Sequence, residues 1–333
     1  MAFCFPLGNM KLKYFLIILL IILIIGIILV DRSDGELKER ISGKAGKTIY
    51  ENGTLDAYFC PEEDCNTIML DEINGSQNVK CAFYELTDMR IENVLREKNA
   101  SFIIHYENYK GYGFSRDTEG LMHDKFCVLD GKKIITGSHN PTNNKNKDNV
   151  LVIESAYLAE NYNMEFENLI RYPAPEKEKT KNTKLIFNGY ELENYFCPQD
   201  GCQGEIIEEL SRANKSIYFL TYTFTDGEIA SLLVRKKDSG LEVRGVIESY
   251  QGRTYWVYPA LQVGGVPVVL DNEQSLQHNK VFIIDNRTVV TGSFNPTKAA
   301  DTKNDENIII LRQPDVVNEY VREFERLYVV LQE

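Results

Sequence analysis

Two stretches of the sequence follow one pattern, HDKFCVLD at His123–Asp130 and HNKVFIID at His278–Asp285. Each is followed by a second shared stretch, TGSHNPT at Thr136–Thr142 and TGSFNPT at Thr291–Thr297. A single histidine ahead of a strand is ordinarily incidental, but two long matches with the same internal spacing indicate a duplicated unit. The duplication decides the fold, because each copy is then expected to build the same strands and helices.

The remaining repeated features set the domain boundaries. Thr87 recurs as Thr225 at an offset of 225 − 87 = 138 residues, whereas the two histidine motifs are 278 − 123 = 155 residues apart. The second copy therefore carries about 155 − 138 = 17 additional residues, which lie between positions 248 and 277. We predict a first unit over residues 47–172, a linker over residues 173–183 and a second unit over residues 184–333.

Each unit is predicted to alternate strands and helices. Val79–Leu86 and Ser216–Phe224 are apolar, β-branched and aromatic, which is typical of buried strands. Closing helices are expected at Ala156–Ile170 and Val316–Val330. This alternation predicts an α/β fold in which helices cover a sheet. The expected architecture is two tandem α-β-α repeats that pack against each other as a pseudo-twofold dimer within one chain.

The net charge restricts the partners that the folded body can bind. The chain of 333 residues has 37 Lys and Arg against 49 Asp and Glu, a formal net charge of −12. Such acidity argues against broad, non-specific binding of nucleic acid, which depends on many basic contacts to phosphates. A nucleic acid is therefore expected only as a substrate, held at one local phosphate site.

An apolar stretch near the N-terminus predicts a membrane anchor. The 17 residues of Tyr14–Val30 carry no formal charge, which is close to the lower limit for crossing a bilayer. We predict an uncleaved signal anchor in residues 1–30 and a juxtamembrane linker in residues 31–46. A cleaved signal peptide is the alternative, although the expected small-residue cleavage site does not follow the stretch. Lys11 and Lys13 precede the stretch, so the positive-inside rule places the N-terminus in the cytoplasm and the body outside.

Four of the seven cysteines form two similar pairs, Cys60 with Cys65 and Cys197 with Cys202. In each pair, four residues separate the cysteines. For a region outside the cytoplasm, two short-loop disulfides are the expected arrangement. The alternative is a four-thiolate metal site, which requires the two pairs to meet in space.

The repeated motif also indicates a chemistry. In an extended strand His123 and Lys125 point to the same face, as do His278 and Lys280, and an imidazole beside an ammonium suits a phosphate better than a protein core. The spacing resembles the signature of the phospholipase D superfamily, H-x-K-x4-D-x6-G-S-x-N, and both copies match it completely. The resemblance covers residues 47–333.

The resemblance implies hydrolysis or transfer of phosphodiesters through a phosphohistidine intermediate. By analogy with two-motif members, His123 is the nucleophile and His278 the general acid and base, opposite roles that two imidazoles can fill near neutral pH. The implied residues are His123, Lys125, Asp130, His278, Lys280 and Asp285 for catalysis, Ser138, Asn140, Ser293 and Asn295 for phosphate binding, and Asp148 and Glu306 for orienting the histidines. Asp130 and Asp285 also fit a structural role, because each lies at a turn between strands. No cofactor or metal is required, since the lysines and asparagines supply the electrostatic stabilisation.

The other notable side chains have ordinary expectations. His139 occupies the variable position of Gly-Ser-x-Asn and is assigned to packing, with lining the pocket as the alternative, and His105 in a predicted strand is assigned a structural role. Trp256 lies in the inserted segment and is assigned by default to the core, with contact to lipid or stacking on a base as the alternative. The aromatic stretch of the first unit forms either a surface loop or a substrate-facing lip, and its members are Tyr106, Tyr109, Tyr112 and Phe114.

These expectations combine into a membrane-anchored phosphodiesterase that hydrolyses phospholipid head groups. The alternatives are a nuclease on the same fold and a phosphatidyl transferase of the cardiolipin-synthase type. A non-enzymatic surface protein is disfavoured, because both motifs are intact. The expected location is the cell membrane, with one pass at residues 14–30 and the catalytic region outside the cytoplasm. The expected partners are the membrane and a phospholipid or other phosphodiester substrate, and an oligomer is not required.

Overall fold

The computed structural model describes residues 48–117, 119–171 and 177–332. In the first half, strands and helices alternate along the chain, and a 3₁₀ turn at Tyr106–Asn108 follows the fourth strand. The elements of this half are β1 (Tyr50–Glu51), β2 (Leu55–Cys60), α1 (Cys65–Gly75), β3 (Val79–Phe83), α2 (Met89–Glu97), β4 (Ser101–His105), β5 (Phe114–Arg116), β6 (Lys125–Leu129), β7 (Lys133–Gly137), β8 (Asp148–Glu154) and α3 (Ala156–Ile170).

The second half repeats this order and adds three short helices, two after its third long strand and one before its last strand. Its elements are β9 (Lys184–Phe187), β10 (Tyr190–Cys197), α4 (Cys202–Arg212), β11 (Ser216–Thr221), α5 (Gly227–Asp238), β12 (Glu242–Glu248), α6 (Ser249–Thr254), α7 (Val257–Val263), β13 (Val268–Asp271), β14 (Lys280–Ile284), β15 (Thr288–Gly292), α8 (Lys298–Thr302), β16 (Glu306–Leu311) and α9 (Pro314–Val330). The extra helices α6 and α7 account for the additional residues that the sequence comparison places here.

The two halves build sheets with the same strand order. The first sheet runs β2-β8-β7-β6-β3-β4-β5, and the second contains the equivalent run β10-β16-β15-β14-β11-β12-β13. In both, a parallel pair (β3 with β4, β11 with β12) adjoins an antiparallel hairpin (β6 with β7, β14 with β15). The mixed α/β fold is therefore confirmed, and the two histidine motifs occupy equivalent positions in the two sheets.

The first strand departs from the predicted unit boundary. β1 pairs in parallel with β9, with Tyr50 opposite Ile186 and Glu51 opposite Phe187, and so extends the second sheet to nine strands. The Glu51 carboxylate also accepts the backbone N–H of Ala156, at the start of α3, at 2.8 Å. The beginning of the first unit is thus built into the sheet of the second and ties the two halves together.

Helices α3 and α9 supply a core that both halves share. Tyr162 of α3 is completely buried, and its ring packs edge-on against Phe126 of β6 and Phe196 of β10, with centroids 5.1 and 4.9 Å away. Tyr320 of α9 packs in the same way against Phe59 of β2 at 5.0 Å. Because each helix buries aromatic rings against strands of both halves, the two sheets are held in one fixed arrangement.

The predicted cysteine pairs are disulfides. Cys60 is bonded to Cys65 at the start of α1, and Cys197 is bonded to Cys202 at the start of α4. The four-thiolate metal site is therefore wrong, because each pair is closed within its own half. Each bond links the end of a strand to the first residue of the following helix, so it fixes the entry angle of that helix.

A third disulfide was missed by the sequence analysis. Cys81 of β3 is bonded to Cys127 of β6, and the register of the two strands sets them directly opposite each other. The equivalent positions of the second half are Phe219 and Phe282, which are also opposite each other, in β11 and β14. The same cross-strand position is thus filled by a covalent bond in one half and by two aromatic rings in the other.

Trp256 lies on the surface, so its assignment to the core is wrong. The side chain stands between α6 and α7 and is 55% exposed. Its indole lies over Gly227 at the start of α5, where an added Cβ would come within 3.1 Å of the ring. The absence of a side chain at Gly227 leaves room for the edge of the large ring at the start of this helix.

None of the helices in the described part of the chain is both long and apolar enough to cross a membrane. The longest described helix, α9, has 17 residues. The predicted anchor at residues 14–30 and the predicted linker at residues 31–46 lie outside the described residues.

Candidate active site

The two histidine motifs lie at the interface between the halves, which we call the seam. The backbone N–H of His123, just before β6, donates to the carbonyl of Asp305 at 2.9 Å. The backbone N–H of His278, just before β14, donates to the carbonyl of Lys147, also at 2.9 Å. In both cases the acceptor belongs to the other half. Each histidine is therefore positioned by the unit that does not contain it.

Each imidazole is also paired with a carboxylate of the other half. Nδ1 of His123 lies 2.8 Å from Oε2 of Glu306, and Nδ1 of His278 lies 2.7 Å from Oδ1 of Asp148. Although burial alone would raise them, the adjacent imidazoles hold the pKa values of Glu306 and Asp148 below their ordinary values. An ionised carboxylate accepts a hydrogen bond from Nδ1–H. It therefore keeps the ring proton on Nδ1 and leaves Nε2 with an available lone pair. The exchange of partners between halves was not predicted.

Ser138 and Ser293 lie behind these carboxylates. Their hydroxyls donate to Asp148 Oδ1 and Glu306 Oε2, both at 2.6 Å, and each also accepts the backbone N–H that follows the carboxylate, at 3.0 Å. Both serines are completely buried. Because the hydroxyl protons are used and the oxygens are inaccessible, the structure gives these serines a supporting position instead of the predicted contact with phosphate.

Asn140 and Asn295 lie two residues beyond the serines, in the loops after β7 and β15. Oδ1 of Asn295 accepts the backbone N–H of Thr223 at 3.3 Å, so the amide nitrogen is the donor end of this side chain. Oδ1 of Asn140 is buried and has no hydrogen-bond partner among the described residues. The two asparagines are thus placed at the same edge of the sheets as the histidines.

Lys125 and Lys280 are the first residues of β6 and β14 and are nearly inaccessible, with 2% and 3% of their surface exposed. Nζ of each donates to the carbonyl oxygen of the motif histidine two residues before it. Burial lowers the pKa of Lys125 to about 8 and that of Lys280 to about 7, and the charge on Lys125 contributes to the lowering at Lys280. Two buried cations within electrostatic reach of each other favour an anion between them.

Both histidines are neutral in the free site. Burial lowers the pKa of each ring to about 4, and the paired carboxylates offset only part of this effect. The lysine of the other half acts in the same direction, since Lys280 lowers the pKa of His123 and Lys125 lowers that of His278. This mutual influence across the seam indicates that the two motifs form one charged site.

Two tyrosines that the sequence analysis did not identify flank the histidines. The ring of Tyr84 lies edge-on to His123 with centroids 5.2 Å apart, and that of Tyr222 lies edge-on to His278 at 5.0 Å. Each ring centroid is also 5.5 Å from Nζ of the motif lysine of the same half. His105 stacks on Tyr84 at 5.1 Å, consistent with its expected structural role. The offset of 222 − 84 = 138 residues was the signal that could have identified this pair.

Asp130 and Asp285 do not reach the site. They follow the far ends of β6 and β14, whereas the histidines precede the near ends, so a five-residue strand of roughly 16 Å separates each aspartate from its histidine. Asp130 accepts the backbone N–H groups of Gln77 and Asn78 at 2.9 and 2.7 Å, and Asp285 accepts those of the three residues from Asn214 onward. The structure therefore contradicts a catalytic role and supports the structural alternative, in which each aspartate closes a turn.

Two further buried ion pairs join the halves near the site. In one the acidic residue stands at the position that the basic residue occupies in the other. Asp305 of the second half is paired with Arg116 at 3.2 Å and with Lys177 at 2.5 Å. At the equivalent position of the first half stands Lys147, which is paired with Asp271 of the second half. Because the signs are reversed, the pairs Arg116–Asp305 and Lys147–Asp271 are attractive only between unlike halves.

The described residues offer no metal centre. Within residues 48–117, 119–171 and 177–332, no group of three or more His, Cys, Asp or Glu side chains is arranged to hold a metal ion. The carboxylates at the histidines are each engaged by an imidazole and a serine hydroxyl. The buried positive groups next to the histidines are Lys125 and Lys280, which donate to the carbonyls of His123 and His278.

The low histidine pKa values predict that folding stability decreases in acid. Between the ordinary pKa of 6.5 and about 4, the unfolded chain binds protons that the folded His123 and His278 do not bind. The free energy of unfolding is expected to decrease as the pH falls through this window, by about 3 kcal/mol for each ring, and then to level off. Denaturant-induced unfolding at a series of pH values measures the decrease.

The control for this experiment is the double variant His123→Asn, His278→Asn. It lacks both rings, so its free energy of unfolding should change much less between pH 6.5 and about 4. An equal decrease in the double variant would assign the acid sensitivity to other groups and contradict the low pKa values of these rings.

A family model and several known proteins match this sequence. The family described as "Cardiolipin synthase, PLD-like domain" matches residues 75–170 and 206–328, in both halves. A protein named phospholipase D from Rickettsia felis is 35% identical over 128 residues, which cover 38% of this chain and 64% of that protein. A mitochondrial cardiolipin hydrolase from Xenopus tropicalis is 29% identical over 143 residues, which cover 42% of this chain and 68% of that protein.

The fold recurs in a solved structure. Phosphatidylserine synthase from Haemophilus influenzae superimposes with a TM-score of 0.63 over 83% of this chain and 86% of that one. The sequence identity is only 11%, so this likeness concerns the fold alone. The Rickettsia match spans less than two thirds of that relative's length, but the family match covers well over half of this chain. The chain therefore belongs to the phospholipase D superfamily.

Proposed function

We propose that the chain is a phosphodiesterase that cleaves phospholipid head groups through a phosphohistidine intermediate. The observation that carries the proposal is the reciprocal pairing across the seam, in which each buried imidazole meets a carboxylate of the other half beside a buried lysine. This arrangement suits two histidines that act in turn on one phosphorus atom. The relatives named phospholipase D and cardiolipin hydrolase support the same class of reaction.

In the first step, Nε2 of His123 attacks phosphorus with the lone pair that the neutral ring keeps available. The P–N bond forms as the bond from phosphorus to the leaving alcohol oxygen breaks. His278 is protonated in the complex and gives its Nε2 proton to that oxygen. The substrate itself promotes this protonation, because an anion beside an imidazole raises its pKa.

In the second step, the neutral His278 accepts a proton from water while the water oxygen attacks phosphorus and the P–N bond breaks. Lys125 and Lys280 stabilise the negative charge on the non-bridging oxygens in both steps, and the bound anion raises their lowered pKa values. An alcohol in place of water turns the same step into transfer, which is the alternative of the cardiolipin-synthase type.

The surroundings of the site favour lipid over nucleic acid. The segment after β4 exposes Tyr106, Tyr109 and Tyr112, and the segment after β12 exposes Tyr250 and Trp256. Both segments begin at the ends of parallel strands at the edge where the histidines lie. Exposed Tyr and Trp rings suit the boundary between lipid and water. A net charge of −12 disfavours a long polyanion such as DNA or RNA.

The activity is tested first on a generic diester. The purified full-length protein is expected to hydrolyse bis(p-nitrophenyl) phosphate in the presence of excess EDTA, because its own lysines supply the positive charge. Release of p-nitrophenolate measures the rate. Absence of turnover in every buffer, or complete loss of turnover on adding EDTA, would contradict the proposed mechanism.

The substrate class is tested by direct comparison. Vesicles of labelled phosphatidylcholine or cardiolipin are expected to be cleaved faster than labelled single-stranded DNA at equal phosphodiester concentration. Analysis of the lipid products with and without added glycerol separates hydrolysis from transfer. Preferential cleavage of the DNA would support the nuclease alternative and contradict a phospholipid substrate.

We propose further that residues 14–30 anchor the enzyme in the membrane, with the catalytic region outside the cytoplasm. The apolar stretch and the lysines that precede it support this topology. A variant that starts at Asp31 is expected to be released from membranes and to keep its full rate on bis(p-nitrophenyl) phosphate. Continued membrane association of this variant, measured by flotation, would contradict the single anchor.

A further inference from the structure

The two orienting carboxylates differ on the side away from their histidines. Oε1 of Glu306 accepts a hydrogen bond from Nδ2 of Asn304 at 3.1 Å. Oδ2 of Asp148 instead faces Nδ1 of the buried His139 at 3.6 Å. The position equivalent to His139 is occupied in the second half by Phe294, which belongs to the apolar core. An otherwise symmetrical site therefore has one additional imidazole on one side only.

The second nitrogen of His139 defines its tautomer. Nε2 lies 2.7 Å from Oδ1 of Asn66, and Nδ2 of Asn66 donates to the carbonyl of Thr142, also at 2.7 Å. Since the amide nitrogen is engaged as a donor, the amide oxygen accepts, and the ring proton lies on Nε2. Nδ1 of the neutral ring then directs a lone pair at a carboxylate oxygen, and this nitrogen has no hydrogen-bond partner among the described residues.

Protonation of His139 changes this contact from repulsive to attractive. An Nδ1–H donates to Oδ2 of Asp148, so the one carboxylate then serves His278 at Oδ1 and His139 at Oδ2. A carboxylate shared between two cations holds the proton of His278 less firmly. The titratable groups around His139 are Asp148, whose other oxygen is paired with His278, on one side and, across the adjoining surface pocket, Glu63, Asp64, Asp88, Arg90 and Lys145.

We propose that His139 is a positioning residue that acts through Asp148 on His278 and makes the two site histidines chemically unequal. The catalytic consequence of this coupling rests on the proposed function, in which His278 is the proton donor. A donor whose carboxylate is shared releases its proton to the leaving oxygen more readily. His123 is paired with Glu306, whose other oxygen is held by a neutral amide, so it keeps its carboxylate undivided.

The coupling is tested by NMR on the whole chain, whose four histidines keep the ring spectrum simple. Across a pH series, the ¹⁵N signals of His278 are expected to change together with those of His139, while those of His123 do not. In His139→Phe, which copies the residue of the other half, this change in the His278 signals is lost. A His278 titration that is the same in the wild type and in His139→Phe would overturn the proposal.

A second variant moves the coupling in the opposite direction. Asn66→Asp places a negative charge at Nε2 and favours the doubly protonated ring of His139. The change that His139 and His278 share is therefore expected at higher pH than in the wild type. The melting temperature is expected to fall, because an aspartate cannot donate the hydrogen bond that Nδ2 of Asn66 makes to the carbonyl of Thr142, and a cooperative melting transition shows that the variant is folded. An Asn66→Asp variant in which His139 moves and His278 does not would also overturn the proposal. These spectra need no turnover, so they test the coupling even if the proposed activity fails.

Kinetics supply a readout that a purely structural role would not change. His139→Phe is expected to lower kcat for a diester with a poor leaving group, such as diphenyl phosphate, by about tenfold with little change in KM. The burst with bis(p-nitrophenyl) phosphate, whose leaving group needs no proton, is expected to be unchanged. Equal losses for both substrates would overturn the assignment of the effect to proton donation.

Discussion

The variant His278→Asn is expected to release about one equivalent of p-nitrophenolate per chain from bis(p-nitrophenyl) phosphate and then to stop. The nitrophenolate needs no proton, so His123 still attacks phosphorus, but no group remains to activate water against the phosphohistidine. The steady-state kcat should fall by about 10⁴-fold or more, as expected when one member of a nucleophile and base pair is removed. Rapid-mixing absorbance measures the burst, and mass spectrometry of quenched protein locates the adduct on His123.

The variant His123→Asn is the matched control, because it makes the same substitution in the other half. It keeps His278 but lacks the attacking nitrogen, so neither a burst nor turnover is expected. A burst in His123→Asn with none in His278→Asn would reverse the two roles. Bursts in both variants would show two independent nucleophiles and contradict a shared site.

Removing the charge of an orienting carboxylate is expected to reproduce the defect of the histidine in the opposite half. Glu306→Gln removes the anion that holds the Nδ1 proton of His123 at 2.8 Å, so the burst itself should slow by about 10³- to 10⁴-fold. Asp148→Asn acts instead on His278, so the burst should persist while steady-state turnover falls by a similar factor, about 10³- to 10⁴-fold. The same rapid-mixing assay measures both rates.

A suitable control is Glu323→Gln, which makes the same chemical change in a buried carboxylate of α9. Glu323 is paired with Arg326 at 2.7 Å and does not contact the histidines, so near-normal kinetics are expected. The comparison of Glu306→Gln with Asp148→Asn shows which histidine each carboxylate serves. Loss of the burst in Asp148→Asn and its persistence in Glu306→Gln would mean that each carboxylate serves the histidine of its own half.

Much of this architecture could be predicted because the sequence repeats itself. Alternate residues of a strand face the same side, which places His123 and Lys125 on one face. The second copy repeats this histidine and lysine, so comparing the two copies locates the site. Helix α3 was predicted at its observed bounds, Ala156–Ile170. Its start is marked by Ser155, whose hydroxyl accepts the backbone N–H of Leu158.

The partners across the seam could not be predicted. Asp148 and Glu306 were expected to orient the histidines, but the exchange between halves depends on how the two sheets pack, which no local pattern records. Cys81 and Cys127 meet only because β3 and β6 align in one register. Trp256 was assigned to the core from the average behaviour of large rings, whereas a neighbouring glycine gives it a place on the surface.

The claim on which this account depends is that both motifs bind a single phosphorus centre. Calorimetric titration of the full-length protein with orthovanadate, a mimic of pentacoordinate phosphorus, tests it most directly. We predict about one vanadate per chain, bound with proton uptake because an anion raises the low pKa values of Lys280 and both rings. Binding should be lost in His123→Asn and in His278→Asn alike. Two vanadates per chain, each lost in only one of the variants, would contradict the account.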